Sequence, residues 1–202
     1  APCLFLGCIG GYVFASLWNM YQPFGIYVPC TNYALLGMAG VMSGVQIGNQ
    51  HFFYPERTVT RAELLVMAMN AAGITEVPAC YNTGFADDAE IPETMKGYVA
   101  TAYAMKYISG SIVEGALKFL PNEPITRAQA AVILAGIVGF EDVAVTPTFA
   151  DGSEIPAWAS EAIYSLNAAG IMTTLDGYIS ASAKLTRAQT AGMLAAVMRY
   201  VN

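Results

Sequence analysis

The sequence predicts an all-α fold built from tandem helical units, and three observations carry that prediction. A short phrase occurs three times, as Val59-Thr60-Arg61-Ala62-Glu63, Ile125-Thr126-Arg127-Ala128-Gln129 and Leu185-Thr186-Arg187-Ala188-Gln189, with spacings of sixty-six and sixty residues. Each copy opens a stretch whose apolar residues recur at three and four, the period of a helix. The stretches ahead of the phrases repeat as well, so each copy belongs to one supersecondary unit.

The phrase marks a helix start. A Thr followed three positions later by Glu or Gln is a capping box, in which the hydroxyl accepts the amide of the third helical residue and the longer side chain returns to the Thr amide. The arginine then falls on the first helical residue, where its charge meets the positive end of the macrodipole at a cost of about 0.3 to 1 kcal/mol. Helix formation does not ask for it, and three occurrences point to another task. Two tasks fit: pairing with a structural carboxylate on a neighbouring unit, or holding an anionic ligand jointly with free helix amides.

Ahead of the third cap run Phe149-Ala150-Asp151, Ile155-Pro156-Ala157-Trp158-Ala159, then Ala162, Ile163, Leu166 and Ala169. Proline suits the first turn of a helix, and one is expected there. Ahead of the second run Phe85-Ala86-Asp87, Ile91-Pro92, then Met95, Val99, Ala102 and Met105, in register with the third until a loop four residues longer. The first unit keeps only the later part, Tyr33, Leu36 and Gly40-Val41-Met42-Ser43-Gly44, then Phe53-Tyr54-Pro55. The helices that follow the second and third caps are apolar on nearly every face and so belong inside other helices. A lone unit could not cover such a helix, and the units should fold as one cooperative body. Turn-rich connectors at 73–84 and 141–148 place the boundaries near 84 and 148.

These elements together resemble the S-layer homology domains of bacterial surface proteins. The resemblance rests on the Phe-x-Asp leads, the Trp158-Ala159 helix, the Gly-Ile/Val-x-Ser-Gly turn, the Leu120-Pro121-Asn122-Glu123-Pro124 approach and the three caps, over residues 31–202. It implies three helix-loop-helix repeats, at 31–84 (partial), 85–148 and 149–202, packed as a pseudo-threefold helical bundle. It also implies a non-catalytic, secreted anchoring module on the wall or surface of a bacterium, which binds pyruvylated secondary cell-wall polysaccharide in grooves at the helix starts. Carried over residue by residue, the ligand set is Arg61, Arg127 and Arg187, the turn residues Ser43, Gly44, Ser109 and Gly110, and the lead residues Asp87, Asp151 and Trp158. Thr173-Thr174 stands where the other turns have Ser-Gly, and Thr94 stands where the third unit has Trp158. At most two working grooves are expected. The alternative on the same scaffold is a protein-protein interaction or structural module whose arginines pair internally with Asp87, Asp151 or the cap glutamate.

Composition is consistent with this. Of 202 residues, 55% are hydrophobic, ample for a core. A net charge of -6 and a pI near 4.6 argue against nucleic acid, so an anionic ligand would have to be met by a few placed donors and not by a basic field. No Asp, Glu, Lys or Arg precedes Glu56, and residues 1–30 form an irregular apolar segment in which Asn19, Gln22, Pro23 and Gly10-Gly11 interrupt any membrane span. Cysteines at 3, 8, 30 and 80 lack zinc-site spacing and are expected as reduced, buried hydrophobes. His51 is expected in a solvated loop, and the acids at 87–90 and at 154 are explained by the helix macrodipole. No phosphate loop, nucleophile elbow or metalloprotease helix occurs, so no enzyme, metal or cofactor is expected here. Catalysis, if the polypeptide has any, belongs to an upstream enzyme or surface domain.

Overall fold

The computed structural model describes residues 36–37, 39–47, 50–140 and 147–201; the apolar segment 1–30, with Cys3, Cys8 and Cys30, lies outside them. The described chain is mostly helical, with α1 (Arg61–Ala71), α2 (Glu93–Ala104), α3 (Arg127–Val138), α4 (Ala157–Ala168) and α5 (Arg187–Val201). Short 3-10 turns, Asp88–Glu90 and Gly152–Glu154, lead into α2 and α4, each of which starts directly after a proline.

All three capping boxes form. Thr60 Oγ accepts the Glu63 amide at 3.3 Å while the Glu63 carboxylate accepts the Thr60 amide at 3.0 Å. Gln129 and Gln189 make the same reciprocal pairs with Thr126 and Thr186.

The all-α expectation needs one correction, because the loops carry small hairpins. β1 (Val45–Ile47) pairs antiparallel with β2 (Gln50–Phe52), and β3 (Ser111–Val113) with β4 (Ala116–Lys118); in the third unit Leu175 bridges Tyr178. Strands of three residues leave no legible alternation, which is why the pattern missed them. The second hairpin turns on Glu114 and Gly115 at φ 54° and 77°, the two left-handed positions a two-residue loop requires. His51 lies in β2 opposite Gln46 and not in a loop. Cys80 also departs from expectation: it is half-buried, and its thiol donates to the Asn82 carbonyl at 3.1 Å.

The residues that precede the caps tie the units together. The Val59 amide donates to Leu185 O, the Leu185 amide to Ile125 O and the Ile125 amide to Val59 O, each at 3.0 Å, which closes a ring of three buried residues. Around it, the approach to each cap serves the helix of the preceding unit, taken in cyclic order. The Arg61, Arg127 and Arg187 amides donate to Glu123 O, Ala183 O and Arg57 O, and the Ala62, Ala128 and Ala188 amides to Pro121 O, Ala181 O and Pro55 O.

Helices pack across units: α1 lies against α2, α3 and α5, and α3 against α4. The buried faces join in one core through Leu64, Leu65, Met69, Leu134, Ile163, Leu166 and Leu194. Gly97 marks the closest approach of α2 to the connector from α1, since a Cβ there would stand 2.6 Å from the Pro78 carbonyl oxygen and 3.1 Å from Val77 Cγ2. Beside it, Lys96 is buried and paired with Asp88 at 2.8 Å and Glu93 at 3.0 Å, and its Nζ also donates to Tyr81 O. Asp88 holds the connector as well, accepting the Thr83 amide and hydroxyl, both at 2.7 Å. The lead acid that the macrodipole seemed to explain is thus a clamp.

Two outcomes follow from this packing. Gly97→Ala gains helix propensity of about 1 kcal/mol but collides with backbone, so it should lower stability by about 1 to 3 kcal/mol in denaturant titrations; a raised midpoint would show that connector and helix part freely. The Lys96 ammonium and the two Thr83 donors hold the Asp88 carboxyl down from 3.8 to about 2. A depressed folded-state value stabilises fully above the unfolded value and fades as pH falls, so the stability gap between wild type and Asp88→Asn should be constant above pH 3.8 and close between 3.8 and 2. Parallel urea titrations across that range measure it, and a gap independent of pH would remove the ionised clamp.

Candidate functional site

Each cap arginine leaves its own unit and enters the turn of the next. Arg127 is buried; its Nε donates to Ile179 O at 2.7 Å and its Nη2 to Thr173 O at 2.8 Å. Arg187, also buried, repeats this on the first unit, with Nε to Phe53 O at 2.8 Å, Nη2 to Ser43 O at 2.7 Å, and its guanidinium 4.7 Å from the Phe53 ring centroid. Arg61 is the exception. Its guanidinium lies 5.4 Å from the Phe119 ring centroid, and its Nε is buried without a hydrogen-bond partner.

The lead aspartates grip the same turns from the other side. Asp151 accepts the amides of Ile179 at 2.9 Å and Ser180 at 2.7 Å; Asp87 accepts those of Phe119 at 2.8 Å and Leu120 at 2.7 Å. Both aspartates are buried. The second residue of each pair is left-handed, Leu120 at φ 60° and Ser180 at 53°, as is Tyr54 at 51° in the first unit. A left-handed non-glycine residue costs about 1 to 2 kcal/mol, and two charge-assisted bonds to successive amides offset it. Arginine and aspartate thus act on one peptide: Arg127 takes the Ile179 carbonyl while Asp151 takes the Ser180 N–H of the same peptide unit. The nearby acids raise the arginine pKa values, Asp87 for Arg61 and Asp151 for Arg127, but desolvation by burial is larger and leaves both lowered.

Two grooves open beside these arginines. The first, about 300 Å³, is lined by Arg61, Lys106, Tyr107, Ser109, Gly110, Gln129 and Trp158. It therefore draws Arg61 from the first unit, the turn and Gln129 from the second, and Trp158 from the third, where that indole stands 61% exposed. The second, about 230 Å³, is lined by Arg127, Thr173, Leu175, Asp176, Tyr178, Ser180 and Gln189.

Of the residues proposed from sequence, Arg61, Ser109, Gly110 and Trp158 converge on one groove. Gly110 has φ 74°, and a Cβ there would come within 2.7 Å of the Phe85 ring. Ser43 joins Arg187 through its carbonyl, and Gly44 leads into β1. Asp87 and Asp151 lie beneath the turns as amide acceptors. The helix amides imagined as ligand donors are already used: the first two by the neighbouring approach, the third by the cap threonine. Sequence reading missed Lys106. It occupies the position held by Gly40 and Gly170 in the other turns and shares their left-handed backbone, at φ 61° against 69° and 69°. The signal was there, a lysine where the repeat calls for glycine.

Among the described residues, no group of metal-ligating side chains forms a site, and no helix is long and apolar enough to cross a membrane. Comparison with known proteins agrees with the repeats. Residues 84–131 and 148–191 match the family described as S-layer homology domain. The chain is also 29% identical over 140 residues to the surface-layer 125 kDa protein of Lysinibacillus sphaericus; the aligned region covers 66% of this chain and 10% of that protein. The chain spans only about a tenth of that relative's length. Each matched segment contains a Phe-x-Asp lead, a strained turn and an arginine cap arranged as above, and over these two segments the chain is similar to S-layer homology domains.

Proposed function

We propose that this chain is a non-catalytic anchoring module of the bacterial cell surface, which binds an acidic, pyruvylated secondary cell-wall polysaccharide noncovalently in grooves at its Thr-Arg-Ala-Glu/Gln helix starts. The observation that carries the reading is the Arg61 groove, where a guanidinium with an unspent donor, turn hydroxyls and an exposed indole face one cavity. Carboxylate recognition suits the first, and an aromatic face suits a sugar ring. Similarity to a surface-layer protein supports the location. Arg61, Arg127 and Arg187 with Ser43, Gly44, Ser109, Gly110, Asp87, Asp151 and Trp158 form the proposed recognition set, in which the aspartates act by shaping the turns.

The scaffold in this reading is a pseudo-threefold bundle of repeats at 31–84, 85–148 and 149–202. The closed ring through Val59, Ile125 and Leu185 and the matching arginine positions support it. An enzyme or surface domain elsewhere in the same polypeptide is the natural cargo of such an anchor.

A protein-interaction module is the second reading, and one observation favours it: Arg127 and Arg187 already donate to backbone carbonyls of the chain itself. Sedimentation with purified wall sacculi separates the two. The anchor should co-sediment with intact sacculi and stay in the supernatant once the secondary polymer has been stripped; equal binding to both, or to neither, would overturn the glycan reading.

A further inference from the structure

Two Asp-Gly pairs occur in the chain, Asp151-Gly152 and Asp176-Gly177. At such a pair the main-chain nitrogen of the glycine can attack the aspartate side-chain carboxyl, since the glycine carries no Cβ to obstruct it. The fold treats the two pairs in opposite ways.

Asp151 is buried, and its two carboxylate oxygens accept the amides of Ile179 at 2.9 Å and Ser180 at 2.7 Å. The peptide that follows it is tied at both ends: the Gly152 N–H donates to Phe149 O at 3.2 Å, and Asp151 O accepts the Glu154 amide at 2.9 Å. Attacking nitrogen and receiving carboxyl are both engaged. Asp176, by contrast, is exposed at the tip of the third unit's loop, with Asp176 and Gly177 both left-handed at φ 49° and 83°. Among the described residues, none is hydrogen-bonded to its carboxylate, to its main-chain carbonyl or to the Gly177 amide. Only the two bonds between Leu175 and Tyr178, at 3.0 and 2.8 Å, close the loop around that untied peptide.

From this contrast we propose that Asp176-Gly177 is a site of spontaneous aspartyl isomerisation in the folded chain, and that the fold shields Asp151-Gly152. The Gly177 nitrogen forms a bond to Asp176 Cγ, the side-chain hydroxyl and the amide proton leave as water, and a five-membered succinimide closes. Water then opens the ring. Cleavage of the bond from nitrogen to Cγ restores aspartate, whereas cleavage of the bond from nitrogen to the main-chain carbonyl carbon routes the backbone through Cβ and Cγ as isoaspartate. The water lost is regained, so no oxidant, reductant or co-substrate is needed. The product adds one backbone atom to the loop that the Leu175–Tyr178 bonds close, and it displaces the carboxylate that lines the groove of Arg127. The hairpin turn of the second unit is built on Glu114 and Gly115, where the ring would have six members and closes far more slowly.

Ageing the full chain in mildly acidic buffer, folded and in parallel in guanidinium chloride, tests this. Cleavage after glutamate separates the two sites, because Glu154 and Glu161 lie between them, and electron-transfer fragmentation tells isoaspartate from aspartate in each fragment. In the folded chain isoaspartate should accumulate about tenfold or more faster at Asp176 than at Asp151, the factor that breaking one charge-assisted hydrogen bond imposes. In denaturant the two rates should converge, and Asp176→Glu should remove the signal from its fragment. Equal rates in the folded chain, or a faster rate at Asp151, would overturn the proposal. So would a difference that persists undiminished in denaturant, which would trace to neighbouring side chains and not to the fold, or isoaspartate at Asp176 that forms only in denaturant, which would show the loop to be as protected as the buried site.

Discussion

Three backbone hydrogen bonds, from Val59 to Leu185, from Leu185 to Ile125 and from Ile125 to Val59, set the geometry that everything else in this chain uses. The residues of that ring immediately precede the capping threonines, so closing it fixes where α1, α3 and α5 begin and how they point. It also brings each approach against the start of a helix in another unit, where its carbonyls take the first two helical amides. Those amides are orphans in an isolated helix and would need water or a ligand. Here they are consumed by assembly. No unit can complete its own helix start, which makes folding cooperative across the repeats for a hydrogen-bonding reason as well as a hydrophobic one.

The arginine at the first helical position follows from the same geometry. With the helix start pinned against the neighbouring unit, a long side chain at that position crosses directly into the neighbouring turn. There Arg127 meets a peptide, Ile179–Ser180, whose N–H is already held by Asp151. The two charges are coupled through one peptide and never form a direct ion pair. This arrangement answers the choice left by the sequence in a way neither alternative described: the carboxylate is present, as a second hand on the same backbone, and the guanidinium is satisfied by carbonyls. Its penalty at the helix start, about 0.3 to 1 kcal/mol, is small beside two charge-assisted bonds of about 1.5 to 3 kcal/mol each.

Features with short sequence range were legible. The capping boxes span three residues, the prolines Pro92 and Pro156 stand one residue ahead of their helices, and the helical period of Ile163 and Leu166 is local; all appear where the sequence puts them. Features that depend on the ring were not. Asp87 contacts residues more than thirty positions away, and nothing at positions 87–90 distinguishes a clamp on Phe119 from a charge that favours a helix start. Asp88 is a clamp of another kind, half-buried against the buried Lys96, and the sequence gives no sign of that pairing. The convergence of Arg61, Ser109, Gly110 and Trp158 belongs to three different units and became visible only once the ring placed them. Resemblance to a family supplied the residues, but not which of them share a groove.

Repetition of a motif therefore does not imply repetition of a role. The chain is acidic, so it offers an anionic polymer no long-range attraction, and recognition of one would have to come from contacts made at short range. At that range the state of a donor matters more than its charge. Arg127 and Arg187 each commit Nε and Nη2 to backbone carbonyls, so a carboxylate could meet them only through guanidinium hydrogens outside those bonds. For Arg61 nothing need break, since burial has already imposed the desolvation cost and left a donor unpaired. The same side chain, set by the same ring, is a structural tie where a turn carbonyl reaches it and keeps an unspent donor where one does not. Substituting glycine by Lys106 in that one turn places a second cation where the untied arginine already stands.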